Sequence, residues 1–448
     1  MNSIQLPSKD KLILGIMGFI GIISMISIII NDDPLYTRFW SSILHNGVFF
    51  TLIAMMAVFF ICINRTAYAG WAVGFKRVWE AMSQFLWVGF ALMLLIALGI
   101  YFGWHHLYHW SDEEVVAKDE ILKGKSSFLN KNIYTIVGLG ILASWIFFAH
   151  KMRTLSIEED DHDDPKHTQY EKMKFWGAIF LPVAGFTSAV VIWLWLMSVD
   201  PHWYSTIFAW YTGASCFVSM IALTILFLIY LKSRGHYHNI NMEHFHDLGK
   251  FMFAFSVFWT YLWFSQYMLI WYGNIGEETV YFQTRIKEYP VLFYGNLVLN
   301  FVLPFLILIR NDTKRKYGTL IIVSIIVFFG HWWDTFQMVK PGTLHTSHEV
   351  LMKNNHHSNS TDIKVHEINT TEKASGSHQS SESNAGHNGE SHYKSVPVNG
   401  YFIPGLEDIG VLLGFLALFF GTTLHFLSKA SLIPRNDPYL QESIHHHV

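Results

Sequence analysis

Apolar runs of roughly twenty residues alternate along the chain with shorter polar segments. A helix of that length crosses a hydrocarbon layer of ~30 Å and satisfies its backbone hydrogen bonds internally. The ten runs lie at about residues 12–30, 45–63, 83–103, 133–150, 173–197, 206–230, 250–272, 290–309, 318–337 and 406–428. The pattern therefore predicts an all-α polytopic membrane protein with ten transmembrane helices.

Basic residues concentrate in every second connecting segment. If the N-terminus lies in the cytoplasm, the three short outside loops hold only Arg38, Arg285 and Lys287. Lys and Arg accumulate on the cytoplasmic side of membrane proteins. An even number of spans returns the chain to its starting side, so both termini are predicted to be cytoplasmic.

A faint internal repeat subdivides the spans. Arg65 after the second span resembles Arg234 after the sixth, and the fifth and ninth spans end similarly at Asp200 and Asp334. The repeat predicts two four-helix bundles, spans two to five and six to nine, with spans one and ten beside them. The predicted organisation is 1–44 for the first helix and its loop, 45–205 and 206–340 for the bundles, 341–400 for an insertion, and 401–448 for the last helix and tail.

Two polar segments interrupt this arrangement. Residues 341–400 are rich in His, Ser and Asn and too poor in apolar residues to offset the entropy of ordering, which predicts a disordered periplasmic insertion. Its histidines could bind metal adventitiously, and no functional metal site is assigned to them. The acidic segment 158–164 is interpreted as a solvated loop, with a site for metal or a basic partner as the alternative.

Composition excludes several kinds of function. The net charge of −3 argues neither for nor against nucleic acid, but the lack of a basic amphipathic stretch argues against nucleic acid as a partner. The only cysteines, Cys62 and Cys216, cannot hold an iron–sulfur cluster, and no Cys-x-x-Cys-His motif for covalent haem occurs. Bis-histidine haem needs two facing histidines at matching depth, which the spans do not offer. We therefore predict no redox centre, cofactor site, metal ligand or catalytic residue in this chain.

The strongest polar insertion near the end of a span is His331-Trp332-Trp333-Asp334. Counting ~1.5 Å per residue from Gly318 places His331 at ~20 Å and Asp334 at ~24 Å across the membrane. The two residues are three positions apart and share a helix face. An imidazole and a carboxylate placed there could exchange a proton. The alternative is an interfacial pair solvated at the helix mouth.

Further candidates lie at the same outer level or below it. Together with His331 and Asp334, the candidates for a proton path or a quinone-proximal site are Asp200, His202, Tyr204, Gln266, Tyr267, Asn296 and Asn300. The polar residues of spans seven and eight are equally consistent with hydrogen bonds that join helices.

Four segments, read together, resemble a known family. They are Val199–Tyr204 (VDPHWY), Trp263–Asn274 (WFSQYMLIWYGN), Gly330–Asp334 (GHWWD) and Ile433–Pro438 (IPRNDP). In this order and over nearly the whole chain, they resemble the ActF subunits of bacterial alternative complex III. These are NrfD/PsrC-like membrane subunits of a quinol:cytochrome c oxidoreductase.

The resemblance implies two four-helix bundles with two flanking helices, in the inner membrane of a bacterium. It implies partner subunits: a sister ten-helix subunit that binds quinol, and periplasmic subunits that carry haem c and iron–sulfur clusters. A terminal oxidase is a further partner that it allows. Whether quinone binds in this chain is left open, as is the role of the His-rich insertion.

The function expected from these observations is that of a membrane subunit without a redox centre, which supports the quinol-oxidising module and offers a proton path. Two alternatives stay open. A self-contained secondary transporter would show inverted repeats and helices broken at mid-membrane. A purely structural membrane anchor would need none of the polar candidates.

Overall fold

The structure is a computed structural model that describes the backbone of residues 7–161, 166–368 and 401–446, and their side chains except those of 353–368. Within these ranges the regular secondary structure is helical, with no strand. The helices are α1 Ser8–Ile30, α2 Thr37–Thr66, α3 Val73–Phe102, α4 Glu113–Lys118, α5 Glu120–Lys125, α6 Lys131–Asp161, α7 Thr168–Trp195, α8 Thr206–Ser233, α9 Met242–Gly273, α10 Gly276–Glu288, α11 Pro290–Leu308, α12 Tyr317–Ile368, α13 Leu406–Leu427 and α14 Leu440–Ile444.

Among the described residues, nine helices are long and apolar enough to cross a membrane. The prediction of a polytopic all-α membrane protein is confirmed at this level. Each of the ten predicted spans falls within a long helix, to within two residues at its end. Helix α9 is the long described helix that is not among the nine. It has 32 residues, but its apolar character is reduced by aromatic residues with polar atoms: Trp259, Tyr261, Trp263, Tyr267, Trp271 and Tyr272.

Successive long helices run in opposite directions and define two faces. We call the face that holds the starts of α1 and α12 and the segment after α13 the terminal face. The opposite face, which holds the loops after α1, α3, α7 and α9, is called the far face. Ion pairs tie each face together, with Asp10 joined to Arg234 on the terminal face and Asp200 joined to Arg285 on the far face.

Helices α2 and α8 form the centre of the molecule. Their most apolar windows are 89% and 83% buried, whereas that of α1 is 17% buried. Helix α2 packs against α3, α7, α8 and α12, and α8 packs against α7, α9 and α12. Contacts also join α3 to α6, α6 to α7, α9 to α11 and α11 to α12. A helix enclosed on all sides has no polar face, which explains why these two are apolar around their circumference.

Helix α1 is held mainly by α13. The two helices cross at Gly21 and Gly414, where a Cβ built on Gly21 would lie 2.5 Å from the Cα of Gly414. Ser24 lies against Gly410 in the next turn. Glycines bring helix backbones into direct contact, which is the usual way that membrane helices associate by packing.

Helix α12 continues well beyond the predicted end of the ninth span. In the described part of the chain the helix runs through Pro341 to Ile368, while the disorder predicted for residues 341–400 stays a prediction. The hydroxyls of Thr343, Thr346 and Ser347 bond to carbonyls three or four residues earlier in the same helix, so this polar stretch is buried without unpaired hydroxyls. Residues 369–400 lie outside the described part of the chain.

The tail after α13 is anchored to the terminal face by buried charges. Asp437 accepts bonds from Arg65 and from Lys76, the latter at 2.6 Å. Lys76 also binds Glu159 at 2.9 Å. Asp160 pairs with Arg77 at 2.8 Å. The acidic segment was predicted to be a solvated loop. In its described part, residues 158–161, Glu159 and Asp160 are instead paired with basic residues of α3.

Candidate functional site

Asp334 is a buried carboxylate on α12 that accepts hydrogen bonds from three other helices. Tyr211 of α8 donates its hydroxyl to one carboxylate oxygen, and the Asn296 amide of α11 donates to the same oxygen at 2.7 Å. The indole N–H of Trp259, from α9, donates to the other oxygen at 3.1 Å. We call Asp334, Tyr211, Trp259 and Asn296 the Asp334 cluster. All four side chains are buried, and Asp334 is 0% exposed.

Local backbone structure brings α11 against Asp334. Pro304 has no N–H to donate to the carbonyl four residues earlier, and the helix forms a π turn at Val298–Val302. Asn300 lies in that turn and donates to the Asn296 side chain at 2.5 Å and to the Gly330 carbonyl at 2.9 Å. A Cβ on Gly330 would lie 2.3 Å from Asn300, so the glycine permits this approach.

His331 lies one turn before Asp334 and is also 0% exposed. Its Nδ1 is 3.0 Å from the Ser215 hydroxyl, and its ring packs edge-on against Trp259 at 5.4 Å between centroids. No described residue hydrogen-bonds its Nε2. Both His331 and Asp334 are therefore enclosed by protein, which contradicts the alternative of a solvated pair at the helix mouth.

The Asp334 cluster contains hydrogen-bond donors but no cation. A carboxylate removed from water loses solvation, and neutral donors replace only part of that stabilisation. Such a group can take up or release a proton in response to small changes in its surroundings. The arrangement is thus chemically suited to proton exchange rather than to a permanent ion pair.

Asp200 is not a member of this cluster but lies beside it at the far face. It pairs with Arg285 of α10 at 2.8 Å, and the Arg285 guanidinium stacks 3.4 Å from the centroid of the Tyr281 ring. Burial raises the pKa of Tyr281 well above its usual range, and both Asp200 and Asp334 add to that effect. Burial alone would lower the pKa of Arg285, but Tyr281 and Asp200 hold it above its usual value. Tyr281 therefore lies near enough to both Asp200 and Asp334 for their charges to act on its hydroxyl.

His202 and Tyr204, the other far-face candidates, are largely exposed. His202 binds Asp119 at 2.6 Å. Burial alone would raise the pKa of Asp119, but the hydrogen bonds from His202 and from two backbone N–H groups hold it below its usual range. Tyr204 lies under the Lys125 ammonium, 5.4 Å from the ring centroid. The structure does not bring these residues to Asp334.

Gln266 and Tyr267 occupy the half of α9 nearer the far face. Gln266 is buried, and no described residue bonds its Oε1. Tyr267 packs against Phe282 and Phe293, with centroid distances of 5.3 and 6.4 Å. Of the predicted site residues, the structure therefore brings His331, Asp334, Asn296 and Asn300 together. Asp200, His202, Tyr204, Gln266 and Tyr267 lie outside this group.

Sequence reasoning missed Tyr211, Trp259 and Ser215. Each lies within an apolar span where its sequence context shows no motif. The packing of α8 and α9 on α12 brings them into contact with Asp334 and His331. The buried Lys340 was also missed, because the predicted span ended before it. Its ammonium binds Ser41 at 2.9 Å and Ser42 at 2.8 Å, and it lies 3.8 Å from Asp408.

An apolar cavity of about 440 Å³ lies between α2, α7, α8 and α9. Phenylalanines from three of these helices line it, and Asn64 and Ser188 are among the few residues with polar side chains. None of its lining residues is titratable, and none belongs to the Asp334 cluster. The cavity and the Asp334 cluster are therefore separate features of the described structure.

No family model and no curated protein matches this chain. The assignment of a function therefore depends on the geometry of the Asp334 cluster and on the sequence resemblance described above.

Proposed function

We propose that this protein is an integral membrane subunit of a respiratory quinol:cytochrome c oxidoreductase of the alternative complex III type. In this proposal it carries no redox centre, supports the quinol-oxidising membrane module and exchanges protons between Asp334 and the far face. The observation that carries the proton role is the enclosed Asp334 carboxylate, bonded by three helices and without a neutralising cation.

The proposed proton route runs from Asp334 toward Asp200. Tyr211 touches Asp334, and Tyr281 interacts electrostatically with Tyr211, Asp334 and Asp200. Asp200 is partly exposed and so reaches the solvent of the far face. In the opposite direction the buried polar side chains include His331, Ser215, Ser219, Asn300 and Ser324, and none of these is a carboxylate that reaches solvent as Asp200 does. This asymmetry favours exchange with the far face, which we propose is the periplasmic side.

The same proposal includes ten spans arranged as one, four, four and one. Its support is the closed set of contacts among α2, α3, α6 and α7, and a second set among α8, α9, α11 and α12. Helices α1 and α13 pair outside both sets. We propose that the terminal face is cytoplasmic, in agreement with the distribution of basic residues, and that the membrane is the inner membrane of a bacterium.

Electron transfer is assigned to partner subunits. Haem c and iron–sulfur clusters are proposed in periplasmic partners, and quinol in a sister ten-helix subunit. The support within this chain is its residue set: two cysteines, both buried and free within apolar helices, do not form a cluster site.

Purification from native membranes tests membership of the complex. We expect the full-length protein, extracted in mild detergent, to elute with subunits that absorb as c-type haem and to catalyse reduction of cytochrome c by quinol. Elution as a colourless monomer or homo-oligomer, without haem-containing partners, would contradict this part of the proposal.

Substitution of Asp334 tests the proton role. Asp334→Asn keeps the size of the side chain but removes its ability to exchange a proton, so we expect quinol-dependent proton release to slow by about 100-fold, the low end for a lost proton-transfer group. Release would be measured with a pH-sensitive dye on the intact complex in liposomes.

Asp312→Asn is the matched control, because Asp312 is an exposed carboxylate at the terminal face whose pair with Arg310 is also exposed. The control should behave like the unmodified protein. If the Asp334 variant assembles normally and its proton release and turnover equal those of the control, Asp334 has no proton role.

A secondary transporter is the second candidate, and the π turn in α11 is the observation that favours it. Interrupted helices supply polar backbone groups to substrate sites in transporters. The turn at Val298–Val302 lies beside the buried Asp334 cluster. A transporter would be purified without haem-containing partners and would move substrate alone in liposomes, so the purification above separates the two candidates.

A further inference from the structure

Three potential metal ligands meet at the far face, outside the Asp334 cluster. His109 comes from the loop between α3 and α4, and His345 and Glu349 come from α12. One ligand atom from each residue lies within 4.8 Å of the other two. His345 and Glu349 are four residues apart, so the helix presents them on one face.

The distances are those of a direct ion pair and are equally those of two ligands that share one bound ion. Nε2 of His109 lies 3.1 Å from one Glu349 oxygen, and Nδ1 of His345 lies 3.5 Å from the other. Two ligands at ~2.1 Å from a tetrahedral Zn²⁺ are ~3.4 Å apart. The observed separations therefore match a pair of ligands on one ion.

An independent observation concerns His109 itself. Its side chain is 7% exposed, and although its Nε2 lies 3.1 Å from Glu349, no described residue meets that nitrogen with hydrogen-bond geometry. A buried ring nitrogen whose neighbouring carboxylate is not aligned for a hydrogen bond is costly unless a ligand occupies it. A cavity of about 120 Å³, lined by His109, His106, Glu349 and Thr346 among others, adjoins this nitrogen. That volume exceeds the ~30 Å³ share of one water, so a metal-bound water has room as a fourth ligand.

We propose that His109, His345 and Glu349 form a binding site for a divalent transition-metal ion, with Zn²⁺ the ion that suits two imidazoles and a carboxylate. The ion would fasten the far-face loop that carries His109 to α12 beyond Pro341. His202, whose ring centroid is 6.2 Å from that of His109, stands next to this site. The site is independent of any respiratory role, because it contains no member of the Asp334 cluster.

The test is a Zn²⁺ titration of the full-length protein in detergent after removal of bound metal. We expect one tight site in the unmodified protein, weakened in His109→Ala by at least about tenfold, the smallest loss expected even for a residue that only supports a ligand. The histidines outside the three proposed ligands are unchanged in His109→Ala, so weak binding by them gives the same background as in the unmodified protein.

Two further variants make the test decisive. Glu349→Gln changes a half-exposed residue and should leave the fold intact while weakening the same site. His348→Ala is the matched control, since His348 is exposed on the same helix but is not one of the three ligands.

X-ray absorption at the zinc edge should show two imidazole ligands in the unmodified protein and one in His109→Ala. Equal affinity in the unmodified protein, His109→Ala and Glu349→Gln would overturn the proposal, as would an equal loss in the His348 control.

Discussion

Asp437→Ala is expected to lower the free energy of unfolding by about 3–5 kcal/mol, the usual result of removing one partner from a buried ion pair. The Asp437 side chain is 0% exposed, and its removal leaves Lys76 and Arg65 buried with one carboxylate fewer. The tail should then detach from the terminal face. Thermal unfolding in detergent and protease sensitivity after Leu427 would measure both effects.

Asp312→Ala provides the comparison for Asp437. Asp312 and Arg310 form an exposed pair at 3.4 Å on the same face, and such pairs contribute little. The control should therefore melt close to the unmodified protein. Equal melting of the two variants would show that the Asp437 network does not stabilise the fold.

The Asp437 contribution also has an expected pH dependence. Burial alone would raise the pKa of Asp437, but Lys76 and Arg65 hold it well below its usual range. A carboxylate with a lowered pKa in the folded state stabilises the protein above the unfolded value of about 3.9 and loses that effect as pH falls through the folded value. The difference in stability between the unmodified protein and Asp437→Ala should therefore stay constant from about pH 8 to about pH 5.

Gly21→Leu is expected to separate α1 from α13 and to cost about 1–3 kcal/mol or more, as overpacking of a close contact does. The neighbouring atoms are backbone atoms of Gly414, which cannot rotate away as a side chain could. Helix α1 has few other contacts, as shown by the exposure of most of its apolar residues in the isolated chain. Cysteine cross-linking between α1 and α13, together with thermal unfolding, would report the separation.

Gly18→Leu is the matched control on the same helix. A Cβ on Gly18 meets nothing within 4 Å, so a leucine there extends into open space. This variant should keep both the cross-link and the melting temperature. Loss of the cross-link in both variants would indicate a general failure of α1 to insert rather than a collision at Gly414.

The sequence was sufficient to predict the elements. Each apolar run is part of a helix, because a twenty-residue run in hydrocarbon can satisfy its backbone hydrogen bonds internally only as a helix. It was also sufficient for part of the site. His331 and Asp334 share a helix face by spacing alone, and so do Asn296 and Asn300, and the structure brings both pairs together.

The remaining partners could not be predicted from spacing. Tyr211 and Trp259 reach Asp334 from α8 and α9 through packing between helices, which leaves no local signature in the chain. Asp200 was aligned with Asp334 by the repeat, yet Arg285 of α10 holds it at the far face. Lys340 was missed because a polar sequence was taken as the end of a span, although its polar groups are satisfied inside the protein.

Helix α12 is one continuous helix from Tyr317 to Ile368. Asp334, Lys340 and Glu349 all lie on this helix, and each contacts a different neighbour. Asp334 is bonded by α8, α9 and α11, Lys340 by the start of α2, and Glu349 by His109 of the loop between α3 and α4. Axial rotation large enough to release Asp334 would also pull Lys340 from Ser41 and Ser42. We therefore expect a displacement of Glu349 by a partner or an ion to be felt at Asp334 through the helix, with Pro341 as the position where the helix bends most easily.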